Sequence, residues 1–391
     1  MSNINKDILN CRILIVEDDY LGRVVLKEIF KRQGFVCVEE AENGRDGLAL
    51  IQKWRPELVI LDVIMPEMDG VECCKLIRAD ADPQIANVPI LVQTALDLIS
   101  DKERLFEAGA SDYITKPIDP HEITARAVVH LEREVMTRRL REFNERLVQE
   151  LEIAHVTQQL LIPDAKTITE TQKNYDLHIC GHYQPCSELG GDFWGFRSLS
   201  KDDLAIYIGD FSGHGVNAAL NVFRLHALMQ AAIDTAHLPA AHLSHLNAIL
   251  TPMLPVGQFA TMFYGIINSK KNTLSYASAG SPPPLLLSKN SHDFKSLDAS
   301  ETLLGVLKET AYQTTEVEFL AGDLLFLYSD ALTETPDENG NMQPIEHWAE
   351  LLQSRPKSGC GAFNTLLMYF NHHCAANLAD DLTLNAYFRR E

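Results

Sequence analysis

From Glu122 to Ile162 the chain runs without a glycine or a proline, and this stretch constrains the fold more than any other feature. Apolar residues fall at 128, 131 and 135 and, after a five-residue skip, at 140, 143, 147, 151 and 154. That three-and-four spacing predicts one long helix with an apolar seam. The charged block LEREVMTRRLREFNER covers its other faces, and Pro163 ends it. The seam can pack on the chain's own domains or pair with its copy in a second chain; the expectation is a homodimer through this helix. The chain then divides into residues 1–120, a helical coiled-coil linker over 121–162, and residues 163–391.

Length agrees, since 391 residues exceed what a single core ordinarily organises. No apolar run approaches the roughly 18 residues of a membrane helix, and MSNINKDILN lacks the order of a signal peptide, so the expectation is a cytoplasmic protein without a membrane partner. A formal net charge of −20 disfavours a nucleic-acid partner. The eight cysteines show no CxxC spacing and suggest reduced, packed thiols without a zinc site.

Over residues 12–117, the β-rich runs RILIVE, FVCVEEA, LVILD, VPILVQT and DYIT alternate with amphipathic stretches. That order predicts a doubly wound α/β domain with a parallel sheet, whose function gathers at the carboxyl ends of the strands. Glu17, Asp18, Asp62, Thr94 and Lys116 stand at those ends. Three close carboxylates repel one another and favour a hard cation such as Mg2+. EDDYLGR, LDVIMPEMDG, QTA and the Lys116–Pro117 pair together resemble a response-regulator receiver domain, flavodoxin-like in fold. The resemblance implies that Asp62 accepts phosphate from a histidine kinase or phosphotransfer protein. It also implies that Glu17, Asp18, Asp62 and the Ile64 carbonyl hold Mg2+, that Thr94 and Lys116 contact the phosphoryl group, and that Tyr113 occupies the place of the family's rotating aromatic.

After the linker, strand-like runs outnumber helical ones, which predicts an α+β two-sheet sandwich covered by helices. Here apolar runs repeatedly meet an acid: Asp192 after Gly190 and Gly191, Asp210 after LAIYIG, Asp330 after LLFLYS, and Asp380 with Asp381 before LTLNAYF. Four acidic sites at strand ends call for one or two divalent ions with oxygen ligands. A rival reading pairs Ser212 with His214 as a nucleophile and base, but GDFSGHG does not match the G-x-S-x-G elbow.

The ordered set GGDFW, IGDFSGHG, ASAGSPPP, YSDALTE and DDLTL resembles metal-dependent serine/threonine phosphatases of the PPM type, in the bacterial stress-response and sporulation subgroup. The resemblance implies two Mn2+ or Mg2+ ions. Asp210 bridges them, the Phe211 carbonyl binds one, Asp192 serves the first, and Asp330 and Asp380 serve the second, with Asp381 the weaker candidate of its pair. Water between the ions would then attack a phosphoserine or phosphothreonine directly. The implied substrate is a phosphorylated anti-sigma-factor antagonist of the STAS type. Gly195 and Ala331 depart from the family pattern and leave open an inactive domain that acts as a phosphorylation-controlled adaptor. A transcription regulator is disfavoured by the acidic balance and by the lack of a basic helix-turn-helix segment.

Overall fold

The computed structural model describes residues 4–95, 99–213, 215–231, 234–289, 294–297, 302–353 and 360–390. It divides into two compact units, Met1–Leu147 and Val148–Glu391.

In the first unit, β1 (Arg12–Val16), β2 (Cys37–Ala41), β3 (Leu58–Asp62), β4 (Ile90–Thr94) and β5 (Asp112–Thr115) form a parallel sheet in the order β2-β1-β3-β4-β5. β3 and β4 are buried at every position, because a parallel strand flanked by crossover helices has no solvent face. Leu14, Val16, Val59, Leu61 and Val92 build the core on one side. Ile13, Ile15, Leu58, Ile60 and Leu91 build the other, joined by Ile123, Ala127, Leu131 and Val135.

Those last four belong to a single linker helix, Pro120–Gln159, whose first turn is capped by the Asp119 carboxylate. The skip in the apolar seam now has a physical cause. Leu131 and Val135 are spent on the first unit's own core, whereas Leu140 and Phe143 are exposed. The helix stops at Gln159, slightly short of the expected end at Ile162.

The second unit stacks two antiparallel sheets. Its strands are β6 (Leu177–Gln184), β7 (Asp192–Ser198), β8 (Asp203–Phe211), β9 (Ala260–Asn268), β10 (Thr273–Ala279), β11 (Leu285–Leu287), β12 (Phe294–Ser296), β13 (Thr315–Glu318), β14 (Leu324–Tyr328) and β15 (Leu382–Arg389). One sheet runs β13-β10-β9-β8-β7 and the other β12-β11-β14-β15-β6. Trp194, Ile206, Ile208 and Phe263 from the first meet Ile179, Leu325, Leu327 and Tyr387 from the second. Helices Val216–Ala231 and Pro239–Leu250 cover one outer face, and Ile345–Gln353 and Gly361–His373 the other. The sandwich matches the sequence expectation.

One expectation is corrected. Cys180 on β6 and Cys360 at the start of the helix Gly361–His373 are joined in a disulfide, so not every thiol is reduced. The fold brings their Cα atoms to 5.9 Å across a sequence separation of 180. The remaining described cysteines are free. No helix among the described residues is long and apolar enough to cross a membrane.

Candidate functional site

At the carboxyl edge of the first sheet, one oxygen each from Glu17, Asp18 and Asp62 lies within 4.8 Å of the others. Glu17 and Asp62 are buried and Asp18 is exposed. Lys116, which follows β5, places Nζ 2.8 Å from Asp62 Oδ2 and 3.0 Å from Glu17 Oε2. Burial pushes the Glu17 carboxyl up, and Asp62 adds to that while Lys116 opposes it. For Lys116, burial acts downward but is outweighed by hydrogen bonds to Asp62 and Glu17, so its pKa is raised. Like charges about 4 Å apart cost roughly 4 kcal/mol at an effective dielectric near 20, and one lysine offsets only part of three such charges. The cluster therefore fits a divalent cation. Thr94 closes β4, buried beside this edge. The Ile64 side chain points to solvent, so any part it takes in the cluster is through its backbone. Tyr113 rests edge-on against Phe106, with ring centroids 5.9 Å apart.

In the second unit, Asp192 opens β7 and pairs in register with Asp210 near the end of β8. Asp330 follows β14 and Asp380 precedes β15 on the facing sheet. Their mutual electrostatics show that these side chains converge. Burial and then Asp330, Asp380 and Asp381 push the Asp210 carboxyl up to about 8. Burial and Asp210 raise Asp192 well above the usual range, and burial and Asp380 raise Asp330. A Cβ on Gly191 would stand 2.7 Å from the Phe211 carbonyl oxygen and 3.0 Å from Asp210 Oδ1, so these two oxygens flank one point that only a glycine leaves open. Beside Asp210 and Asp330 lies a cavity of about 250 Å³, lined also by Thr261, Ser281, Pro282 and Tyr328. An all-oxygen set, with Asp192 buried, Asp210 and Asp330 half-buried and Asp380 exposed at its rim, fits hard divalent ions.

Comparison with known proteins bears on both units. The receiver-domain family model matches residues 13–128, and the model for stage II sporulation protein E (SpoIIE) matches residues 200–389. Response regulator MprA of Mycolicibacterium vanbaalenii is 33% identical over 204 residues, covering 51% of this chain and 86% of that protein. The chain belongs to the response regulators. Its second unit is a phosphatase domain of the SpoIIE type. Phosphoserine phosphatase RsbU of Bacillus subtilis is 30% identical over 204 residues, 52% of this chain and 59% of that protein. This response regulator thus spans under two thirds of that relative, and 48% of MprA from Mycobacterium sp. strain KMS. The SiaA PP2C domain of Pseudomonas aeruginosa shares the fold of the second unit, with a TM-score of 0.55 at 21% identity over 63% of this chain and 98% of that one.

Within the response regulator the Asp380–Asp381 pair separates by environment. Asp381 is buried; its Oδ1 accepts from the Cys186 N–H at 2.8 Å, and its Oδ2 accepts from the Gly191 and Asp192 N–H groups. Asp380 is exposed and accepts from the Asp381 N–H through one oxygen only. Asp381 thus anchors the loop that carries Asp192. The departures in sequence also acquire locations. Gly195 lies opposite Tyr207, where a Cβ would meet the tyrosine oxygen at 2.5 Å, and it faces away from Asp192 three residues earlier. Ala331 packs in the core beneath the helices of the outer face. Neither alters the carboxylate set. Ser212 is tied to Phe259, its Oγ accepting from that N–H at 3.0 Å, which leaves little for a nucleophilic role. His214 lies outside the described residues.

Two buried polar residues escape sequence reasoning. Arg23 donates from Nη1 to the carbonyls of Glu17 and Asp18, each at 2.9 Å, and so fixes the turn that presents those acids. Gln158, in the last turn of the linker helix, donates to the Gly190 carbonyl at 2.7 Å and accepts from the Gly190 N–H at 3.2 Å. Arg23 ends the EDDYLGR motif, but neither its role nor that of Gln158 is legible there; only the approach of another backbone reveals it.

The raised acids set a pH dependence. Between the ordinary 3.8 and about 8, the folded metal-free chain holds a proton on Asp210 that the unfolded chain has lost. Its stability therefore falls as pH rises through that window. The melting temperature of metal-free protein is expected to drop between pH 6 and pH 8, with excess manganese reversing the slope. A flat metal-free profile would count against the carboxylate cluster.

Proposed function

We propose that this response regulator delivers its output as metal-dependent dephosphorylation of phosphoserine or phosphothreonine on a protein, under control of phosphorylation at Asp62. The observation that carries the reading is the convergence of Asp192, Asp210, Asp330 and Asp380 from the ends of two facing sheets beside an open cavity. Two Mn2+ or Mg2+ ions there would supply an activated water for direct attack on phosphorus. The chain's own part is geometric. Strand register fixes Asp192 against Asp210, the second sheet brings Asp330 and Asp380 to face them, and the Phe211 carbonyl adds a neutral oxygen. In the first unit, Glu17, Asp18, Asp62 and the Ile64 carbonyl would hold Mg2+, which would supply positive charge to screen phosphoryl oxygens. The Asp62 carboxylate then attacks in line to form an acyl phosphate, with Lys116 and Thr94 contacting the transferred group. The donor is a histidine kinase or phosphotransfer protein. The name of the RsbU relative, a phosphoserine phosphatase, supports the substrate class, and a STAS-type anti-sigma-factor antagonist is the substrate this reading favours.

The test is release of phosphate from a phosphoserine-bearing STAS protein by the full chain, with and without manganese and with and without acetyl phosphate. Turnover that needs the metal and changes with acetyl phosphate is expected. Metal-independent turnover, or none, would remove the reading.

The dimer proposal rests on the linker helix. Met136, Leu140, Phe143 and Leu147 are 69%, 61%, 62% and 43% exposed and recur at four-, three- and four-residue steps, the pattern of a coiled-coil seam. Leu140→Glu with Phe143→Glu is expected to convert a dimer into monomers in light scattering. An unchanged mass would place the interface elsewhere.

A further inference from the structure

Beneath the carboxylates of the second unit, the inner sheet faces carry polar atoms that the protein itself does not satisfy. Thr383, Asn385 and Tyr387 alternate along β15, so their side chains share one face, and Tyr387 places that face in the inter-sheet core with Trp194, Ile208 and Leu327. Asn385 lies opposite Gly181 on β6, where a Cβ would stand 2.2 Å from the Trp194 ring. Thr383, Asn385 and Tyr387 are each 0% exposed. Yet both amide atoms of Asn385, Tyr387 OH, Trp194 Nε1 and Asp192 Oδ2 lack hydrogen-bond partners. The Thr383 side chain hydrogen-bonds the Asp192 carboxyl and so counters part of the upward push that burial exerts on it.

A buried polar group left unbonded is costly, and several in one layer would consume much of a domain's stability. The atoms themselves select what satisfies them. Indole N–H, amide NH2 and phenol O–H donate, so a bare cation would face donors it cannot use. The Asp192 carboxylate repels an anion. Water both donates and accepts, and interiors hold it where several polar partners converge.

We propose that this layer holds a short file of ordered water molecules running from Asp192 Oδ2 past Thr383 and Asn385 to Trp194 and Tyr387, and that Thr383 and Asn385 are positioning residues for Asp192. The proposal rests on the reading of Asp192 as a metal-facing carboxylate. The waters hold the rear oxygen of Asp192 in one direction before any ion arrives. What they set is metal affinity, since the surrounding apolar core already secures the fold.

The experiment uses the full chain with Asn385→Leu, Thr383→Val and the conservative Thr383→Ser. Manganese binding is measured by calorimetry, and melting is followed without metal. Manganese affinity is expected to fall about tenfold in Asn385→Leu and Thr383→Val, as for outer partners of metal ligands elsewhere, and to recover in Thr383→Ser. Metal-free melting should change little, because each variant nearly keeps the parent's shape within the apolar core. Affinity equal to the parent's in both apolar variants overturns the positioning role. Parent protein that binds no manganese overturns the metal-centre reading instead. In that event, or if the variants do not fold, a crystal structure of the unaltered metal-free chain decides the water file. Ordered water within hydrogen-bond reach of Asn385 and Thr383 supports it, and a dry layer overturns it.

Discussion

Asp210→Asn is expected to lower manganese-dependent phosphate release by about three orders of magnitude, roughly 4 kcal/mol of transition-state stabilisation at 1.4 kcal/mol per tenfold. The size follows from where Asp210 stands. It is paired with Asp192 on the neighbouring strand and pushed upward by Asp330 and Asp380 from the other sheet, so its carboxylate is where the two halves of the cluster meet. An amide keeps the shape and removes one charge and one anionic ligand. The two signs should therefore divide. Metal-free protein should melt no lower than the parent, because an amide takes up no proton on folding and so removes the cost of protonating a buried acid, while manganese affinity and turnover collapse together. Turnover within threefold of the parent would show that Asp210 is not at the reacting centre.

The division between what was legible in the sequence and what was not follows the range of the forces involved. LVILD and DYIT fall on β3 and β5 without adjustment, because a short β-rich run between helical stretches is written locally. The acids at strand ends were legible for the same reason: an apolar run that stops on an aspartate marks the rim of a core. The three-residue edge strand β12 escaped notice, since Phe294–Ser296 is too short to show a period. The helix Ala165–Tyr175 was also missed. It is mostly polar, although Asp164 caps it through the Thr167 N–H at 2.7 Å and could have marked its start. Pairings between distant segments were out of reach. The register of Asp192 with Asp210, the Cys180–Cys360 bond, the Arg23 clamp and the Gln158 contact all depend on how strands and helices pack.

The linker helix shows how one local pattern can carry two meanings. Its seam reads as continuous apart from the skip, yet Leu131 and Val135 serve the first unit's core while Leu140 and Phe143 stay exposed. The same helix ends with Gln158 holding the backbone of Gly190, two residues before Asp192. A change in how the helix is gripped at its start thus has a covalent route to the loop that carries Asp192.

Asp62→Asn should abolish labelling of the chain by a radioactive small phosphodonor such as acetyl phosphate. In the native chain, Asp62 Oδ1 accepts from the Val63 N–H at 2.8 Å and Oδ2 faces Lys116 Nζ at 2.8 Å. The carboxylate is therefore aimed and charge-balanced before phosphate arrives. An asparagine leaves no anionic oxygen to attack phosphorus and turns the residue into a weaker partner for Lys116. Glu17 keeps its contact with that lysine at 3.0 Å, so the first unit should fold, and near-parent melting would confirm that the loss is chemical. Labelling retained in Asp62→Asn would remove the phosphoacceptor assignment. The variant also separates the two halves of the proposed function. Basal manganese-dependent turnover should survive it, since Asp192, Asp210, Asp330 and Asp380 are untouched, while the response to acetyl phosphate should vanish. If that response persists in a chain that can no longer be labelled, acetyl phosphate acts outside the receiver and control of the phosphatase by Asp62 is wrong.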